Sequence, residues 1–128
     1  LYEQHFYDFT IVDMVDMSPL DIIDFYRKMD LVVGSRGHAS MIPFGVGAKI
    51  ISIGGHPKLK AFLEDIDALD WFIDVDEVET ISARLLNLFD KLIRDDDDVV
   101  KRIHENQNRL YQITADNIQG IKEKTYIK

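Results

Sequence analysis

The chain contains no cysteine, and that absence excludes disulfides, thiolate zinc sites and a cysteine nucleophile together. Positive charge is scarce as well: 15 lysines and arginines face 23 aspartates and glutamates, for a net charge of -8 and a pI near 4.8. A field of that sign repels phosphate backbones, so nucleic acid is not an expected partner, and any site for an anion has to be basic locally. No apolar run approaches the roughly 20 residues that span a bilayer, and no signal-like stretch is present. The expectation is therefore a cytoplasmic protein that is not integral to a membrane. Proline is also rare, with 3 residues, so each one is informative about where a helix starts or bends.

What remains is an ordinary globular balance of 46% hydrophobic and 30% charged residues, which argues against disorder. The 128 residues make one domain at most, long enough for a core. Because the sequence opens on Leu1 with no initiator Met, it is expected to be a piece of a longer protein.

Short β-type runs alternate with helical patterns along the chain. Phe9 to Val12 reads as a strand, and Ser18 with Pro19 starts a helix whose apolar face is Leu20, Ile23, Tyr26 and Met29. Leu31 to Val33 is a continuous apolar strand of the kind buried in a parallel sheet. A helix from Gly37 to about Gly45 follows, which Pro43 should kink or shorten, and Lys49 to Ile53 is a second strand. Pro57 opens the next helix, with Leu59, Phe62, Leu63 and Ile66 at the spacing of a buried stripe. Trp71 to Ile73 is a third strand, with Trp71 and Phe72 in the core or against a further lobe. Asp76 and Glu79 read as a capping pair for a helix carrying Val78, Ile81, Leu85, Leu88 and Leu92. Asp95 to Asp98 opens a last helix, with Val99, Ile103, Leu110 and Ile113, that Gly120 ends; residues 77–119 thus form C-terminal helices. This order predicts an α/β fold, a parallel sheet with right-handed crossovers flanked by helices.

The strand at Leu31 gives way to a helix start through Arg36, Gly37 and His38, and open α/β sheets hold ligands at the carboxyl ends of their strands. A guanidinium there grips carboxylate or phosphate through two parallel bonds, a glycine lets backbone approach a ligand, and a histidine carries a proton near neutral pH. The competing reading gives Gly37 a tight turn, Arg36 a surface carboxylate and His38 a capping role. Lys58 lies in the first turn of its helix, where the macrodipole disfavours a cation by roughly 0.3 to 1 kcal/mol. A bound anion reverses that penalty by using the ammonium and the free N–H groups of the helix terminus, with Gly54 and Gly55 letting the backbone curl around it. Alternatively, Lys58 snorkels into water and the glycines only make a turn. Arg36, Lys49, Lys58 and Lys60 are the only basic cluster close to glycines. His56 reads as a helix cap, with ligand contact as its second reading. His5 and His104 share no ligand-like spacing, and Asp95 to Asp98 read as a solvated helix start, so no metal is expected.

From Asp30 to Val75 the sequence resembles the polysaccharide pyruvyl transferase family. In that family a strand ends in an Arg-x-His motif, followed by a short helix, a glycine-containing turn, a second strand and a Lys opening the next helix. Those places are filled here by Arg36 and His38, by Gly45 and Gly47, by Ile50 to Ile53, and by Lys58, with Gly37 where many members carry Leu. The resemblance covers the middle third of the chain well and the last third only as generic helix. It implies a Rossmann-like lobe of a two-lobed, GT-B-type transferase. The chain is then the later part of the C-terminal lobe, inactive without the N-terminal lobe of the same protein. The implied reaction moves a pyruvyl group from phosphoenolpyruvate onto two hydroxyls of a saccharide acceptor as a ketal, in cell-surface or exopolysaccharide biosynthesis, with no further cofactor. The implied catalytic residues are Arg36, clamping the donor's anionic groups, Lys58, neutralising the departing phosphate, and His38, acting as acid or phosphate contact. Gly37, Gly54, Gly55 and His56 complete the implied substrate-binding set. Two alternatives stand beside it: a glycosyltransferase lobe holding a nucleotide sugar, with Glu64 or Asp65 on the ribose, and a non-catalytic interaction domain using the acidic stretch from Asp65 to Asp98.

Overall fold

The computed structural model of the protein describes residues 10–125. Helix α1 (Pro19–Arg27) starts as its sequence dictates: Pro19 takes the first position, the Ser18 hydroxyl accepts from the Asp21 N–H, and the Asp21 carboxylate accepts from the Ser18 N–H. The face turned to the next helix runs through Ile22 and Ile23. Leu20, expected on that face, is 72% exposed. Phe9 lies outside the described residues, and Thr10 to Val12 form no strand. A strand exists only through its ladder, and these three residues have no partner strand among the described residues.

Three parallel strands follow, β1 (Leu31–Gly34), β2 (Lys49–Gly54) and β3 (Phe72–Asp74), in the order β1-β2-β3. Leu31 pairs with Lys49 and Ser52 with Phe72. Between them run α2 (Gly37–Gly45) and α3 (Pro57–Asp65), which touch each other as well as the sheet. Strand periodicity sorts β2 onto two faces. Ser52 meets Ser40 of α2, so Ile50 shares that face, while Lys49, Ile51 and Ile53 turn toward the helices that come later in the chain. Both Ile50 and Ile51 are fully buried, as a central parallel strand covered on both faces requires.

The stripe on α3 is as expected, with Leu59, Leu63 and Ile66 buried and Phe62 packed against the core. Trp71, expected in the third strand, instead ends a 3-10 turn (Leu69–Trp71) that leads into β3. Helix α4 (Ile81–Arg94) lies on β2 and β3 through Ile81, Leu85, Leu88 and Leu92. Asp76 and Glu79 do not cap it: Thr80 is the N-cap residue and no side chain caps the helix. The Asp76 N–H donates to Asp74 Oδ1 at 3.0 Å, a local side-chain turn that holds the chain before the helix starts. Glu77 pairs with Arg84 instead, and Val78 is exposed. The last helix, α5 (Asp96–Thr125), has 30 residues, about 45 Å at the helical rise. It runs straight through Gly120, because one helical glycine costs only about 1 kcal/mol against alanine. No helix among the described residues is long and apolar enough to cross a membrane.

Candidate anion-binding cleft

The carboxyl ends of β1 and β2 open into a cleft of about 550 Å³. One wall comes from the β1–α2 corner, with Ser35, Arg36, Gly37, His38 and Met41, and the other from α3, with His56, Lys58 and Leu59. Two stretches some twenty residues apart in sequence meet because each parallel crossover returns the chain to the same edge of the sheet. Beneath the cleft the Ser40 and Ser52 hydroxyls, both fully buried, share a hydrogen bond of 2.8 Å that ties α2 to β2.

Some glycines sit where a side chain would crowd or strain the fold, and others, Gly37, Gly45 and Gly120, do not. A Cβ on Gly34 would lie 2.7 Å from the Ala39 carbonyl oxygen, so β1 can end under α2 only with glycine there. That carbonyl is also the one Pro43 leaves without its i+4 donor, so the proline sits inside α2 where the helix backbone presses on the strand. Gly47, with φ +91°, makes the left-handed turn from α2 into β2. A Cβ on Gly54 would lie 2.8 Å from Leu59 Cδ2, and one on Gly55 would lie 3.1 Å from Val75 Cγ2. Neither lines the cleft, and packing accounts for both. Gly37 differs: a Cβ there would find only Met41 Cε, 4.0 Å away. Gly37 also has no positive φ and opens α2, so no turn conformation requires glycine there, and its backbone faces the cleft without a side chain.

The two helix starts on the cleft are not alike. Arg36 is the N-cap residue of α2, and no side chain caps the helix. The N–H groups of Gly37, His38 and Ala39 have no acceptor among the described residues. At α3 every first-turn donor is spent or missing. Pro57 has none, Lys58 N–H donates to His56 Nδ1 at 3.2 Å, and those of Leu59 and Lys60 donate to the His56 carbonyl. The expectation that free amides of the Lys58 helix hold an anion is corrected accordingly; the open amides belong to α2.

Charge is distributed just as unevenly. Arg36 and Lys58 are exposed and make no ion pair among the described residues, and no carboxylate lines the cleft. Lys49 is absent from this corner. It opens β2 at the opposite end of the sheet and pairs with Asp96, because a strand start and a strand end lie on different edges. Lys60 does not line the cleft either. Of the expected basic cluster, Arg36 and Lys58 remain, joined by His38 and His56.

At the amino edge, Arg102 of α5 stacks over the Trp71 ring at 4.8 Å, pairs with Asp70 at 2.6 Å and donates to the Asp67 carbonyl. Partial burial pushes the Asp70 carboxyl up, but the hydrogen bonds and charge of Arg102, with help from Lys91, outweigh it and hold the group below its ordinary value. Asp70 raises Arg102 in turn. This network and the serine pair escaped the sequence reading, since pairs more than ten residues apart carry no periodic signal. His104 is exposed on α5, and His5 lies outside the described residues. The described residues hold no group of three or more His, Asp or Glu placed to take a metal. Compared with protein-family models, curated proteins and solved structures, the chain matches none of them.

Proposed function

We propose that this chain is the later part of the C-terminal, Rossmann-like lobe of a polysaccharide pyruvyl transferase of two-lobed, GT-B type. The observation that carries the reading is the convergence of Arg36, His38, Lys58 and the open α2 amides on one cleft that no carboxylate lines, in a chain of net charge -8. Phosphoenolpyruvate carries a carboxylate and a phosphate, and such a corner offers both a fork of guanidinium donors and aimed N–H groups. Arg36 clamps the donor's anionic groups, Gly37 lets them approach the backbone, and Lys58 balances charge as phosphate departs. In the reaction the donor's methylene carbon takes a proton, a sugar hydroxyl attacks the central carbon and loses one, and a second hydroxyl displaces phosphate to close the ketal, its proton leaving with the phosphate. His38 is the proton donor to the methylene carbon in this scheme. The acceptor sits on the other lobe, so the isolated chain binds the donor without turning it over.

A nucleotide-sugar site is supported less well. No Phe, Tyr or Trp lines the cleft to stack a base, and Glu64 and Asp65 lie at the far end of α3 from Lys58. Calorimetric titration of the chain with phosphoenolpyruvate and with uridine diphosphate tests the reading. The expected result is binding of phosphoenolpyruvate at least about tenfold tighter, a difference of roughly 1.4 kcal/mol. Preference for the nucleotide would replace pyruvyl transfer with the glycosyltransferase alternative.

A further inference from the structure

Histidine is an uncommon choice for the N-cap of a helix, where Asn, Asp and Ser serve best. Yet His56 caps α3 while also lining the cleft. Its bond to the Lys58 N–H fixes the chemistry of both ring nitrogens. A backbone N–H can only donate, so Nδ1 at 3.2 Å is the acceptor, and the neutral imidazole carries its proton on Nε2. Asp at this place would cap as well or better, but would bring a negative charge to a cleft shared with Arg36 and Lys58. Ser or Asn would cap without charge, but neither reaches as far as Nε2. Histidine alone caps with one nitrogen and still presents a donor, with no negative charge, at the end of a longer side chain.

We infer that His56 is a specificity-determining residue of the cleft: Nδ1 closes the α3 terminus, and Nε2–H donates a hydrogen bond to the bound anion. The inference rests on the anion-site reading above and adds a second donor from α3, where the spent backbone amides supply none. It also explains why α3 is closed by a side chain and α2 is left open. With Pro57 and the cap in place, α3 offers the ligand side chains only, Lys58 and His56, while the α2 corner offers backbone as well as side chains.

The two nitrogens separate by substitution. His56→Asn places an oxygen where Nδ1 is and nothing where Nε2 is; His56→Gln reaches the Nε2 position and gives up the cap; His56→Asp caps but repels an anion. With phosphoenolpyruvate as the probe, the Asn variant is expected to keep its thermal midpoint and bind at least about tenfold more weakly, as loss of one hydrogen bond to a charged group implies. The Asp variant keeps its midpoint and binds more weakly still. The Gln variant loses thermal stability and keeps affinity within about twofold, the size of effect expected when the bonded donor is preserved. Nitrogen-15 NMR of the wild-type chain should show the proton on Nε2. An Asn variant that binds like wild type makes His56 a cap only and overturns the inference. If the wild-type chain fails to bind phosphoenolpyruvate at all, the anion-site reading fails first and the inference with it; the two failures are thereby told apart.

Discussion

The two edges of the sheet treat their cations in opposite ways. At the amino edge Lys49 pairs with Asp96, Arg102 is held by Asp70 and Trp71, and Arg109 donates to the Asp65 carbonyl. Gln107 reaches from α5 to the Phe44 carbonyl at 2.7 Å, so the charged groups of that edge are joined to their neighbours, although the buried Trp71 Nε1–H has no acceptor among the described residues. At the carboxyl edge Arg36 and Lys58 have no counter-ion among the described residues, and three α2 amides have no acceptor. A fold that pairs its cations at one edge and leaves them open at the other is stabilised by the first and set up to bind at the second. That division is what an α/β sheet predicts for its ligand end, and substitutions on the two edges should separate stability from binding.

The largest effect is expected at the amino edge. Arg102→Ala removes the pair with Asp70, the bond to the Asp67 carbonyl and the stacking over Trp71 together. Urea unfolding should show a loss of about 2 kcal/mol, with phosphoenolpyruvate affinity unchanged in the folded fraction. Affinity falling in step with stability would mean that the two edges are not independent.

Gly34→Ala comes next, and it joins the two regions. The added Cβ would lie 2.7 Å from the Ala39 oxygen, directly under the start of α2. Moving that helix should cost about 1.5 kcal/mol in the same unfolding assay, in the range of overpacked sites. It should also weaken ligand binding, because the open amides move with the helix.

At the cleft itself, Arg36→Lys keeps the charge and loses the bidentate fork, so affinity for phosphoenolpyruvate is expected to fall about tenfold, or roughly 1.4 kcal/mol. Its unfolding midpoint should stay within experimental error of the wild-type value. A loss of stability with no loss of affinity would make Arg36 a surface residue of the ordinary kind.

How much of this was legible in the sequence depends on whether the signal was periodic. Ile50 to Ile53, Leu59, Leu63 and Ile66 announced a buried strand and a helix stripe, and the structure has both. The co-location of Arg36, His38, His56 and Lys58 also followed from strand ends sharing one edge. What failed was everything decided by a partner far away in sequence. Lys49 looked like a neighbour of the glycines, but strand direction sends it to Asp96. Asp76 and Glu79 had the spacing of a cap, yet the Asp74 side chain claims that turn first. Gly120 looked like a stop, but with no competing turn a glycine merely weakens a helix. Which amides stay open at Gly37 to Ala39 was not readable at all, since it depends on no other group arriving.

The smallest expected effect is a pH dependence. Asp70 has a lowered value in the folded chain, so its contribution to stability is fully present above the ordinary carboxylate range, near pH 4, and is lost as pH falls through the lowered value. Asp70 is partly exposed, so the effect is modest. Unfolding midpoints of wild type and Asp70→Asn should differ at pH 7 and converge in acid; parallel curves would remove Asp70 from the account.

The most direct test of the contrast between the edges is an amide NMR titration of the chain with phosphoenolpyruvate. The largest shifts are expected at the Gly37, His38 and Ala39 amides, which have no acceptor among the described residues, and smaller shifts at Leu59 and Lys60, whose donors are already spent. Residues of α5 around Arg102 should stay still. Shifts centred on α5, or shifts at α3 with none at α2, would contradict the claim that the carboxyl edge is an open anion site built on the start of α2.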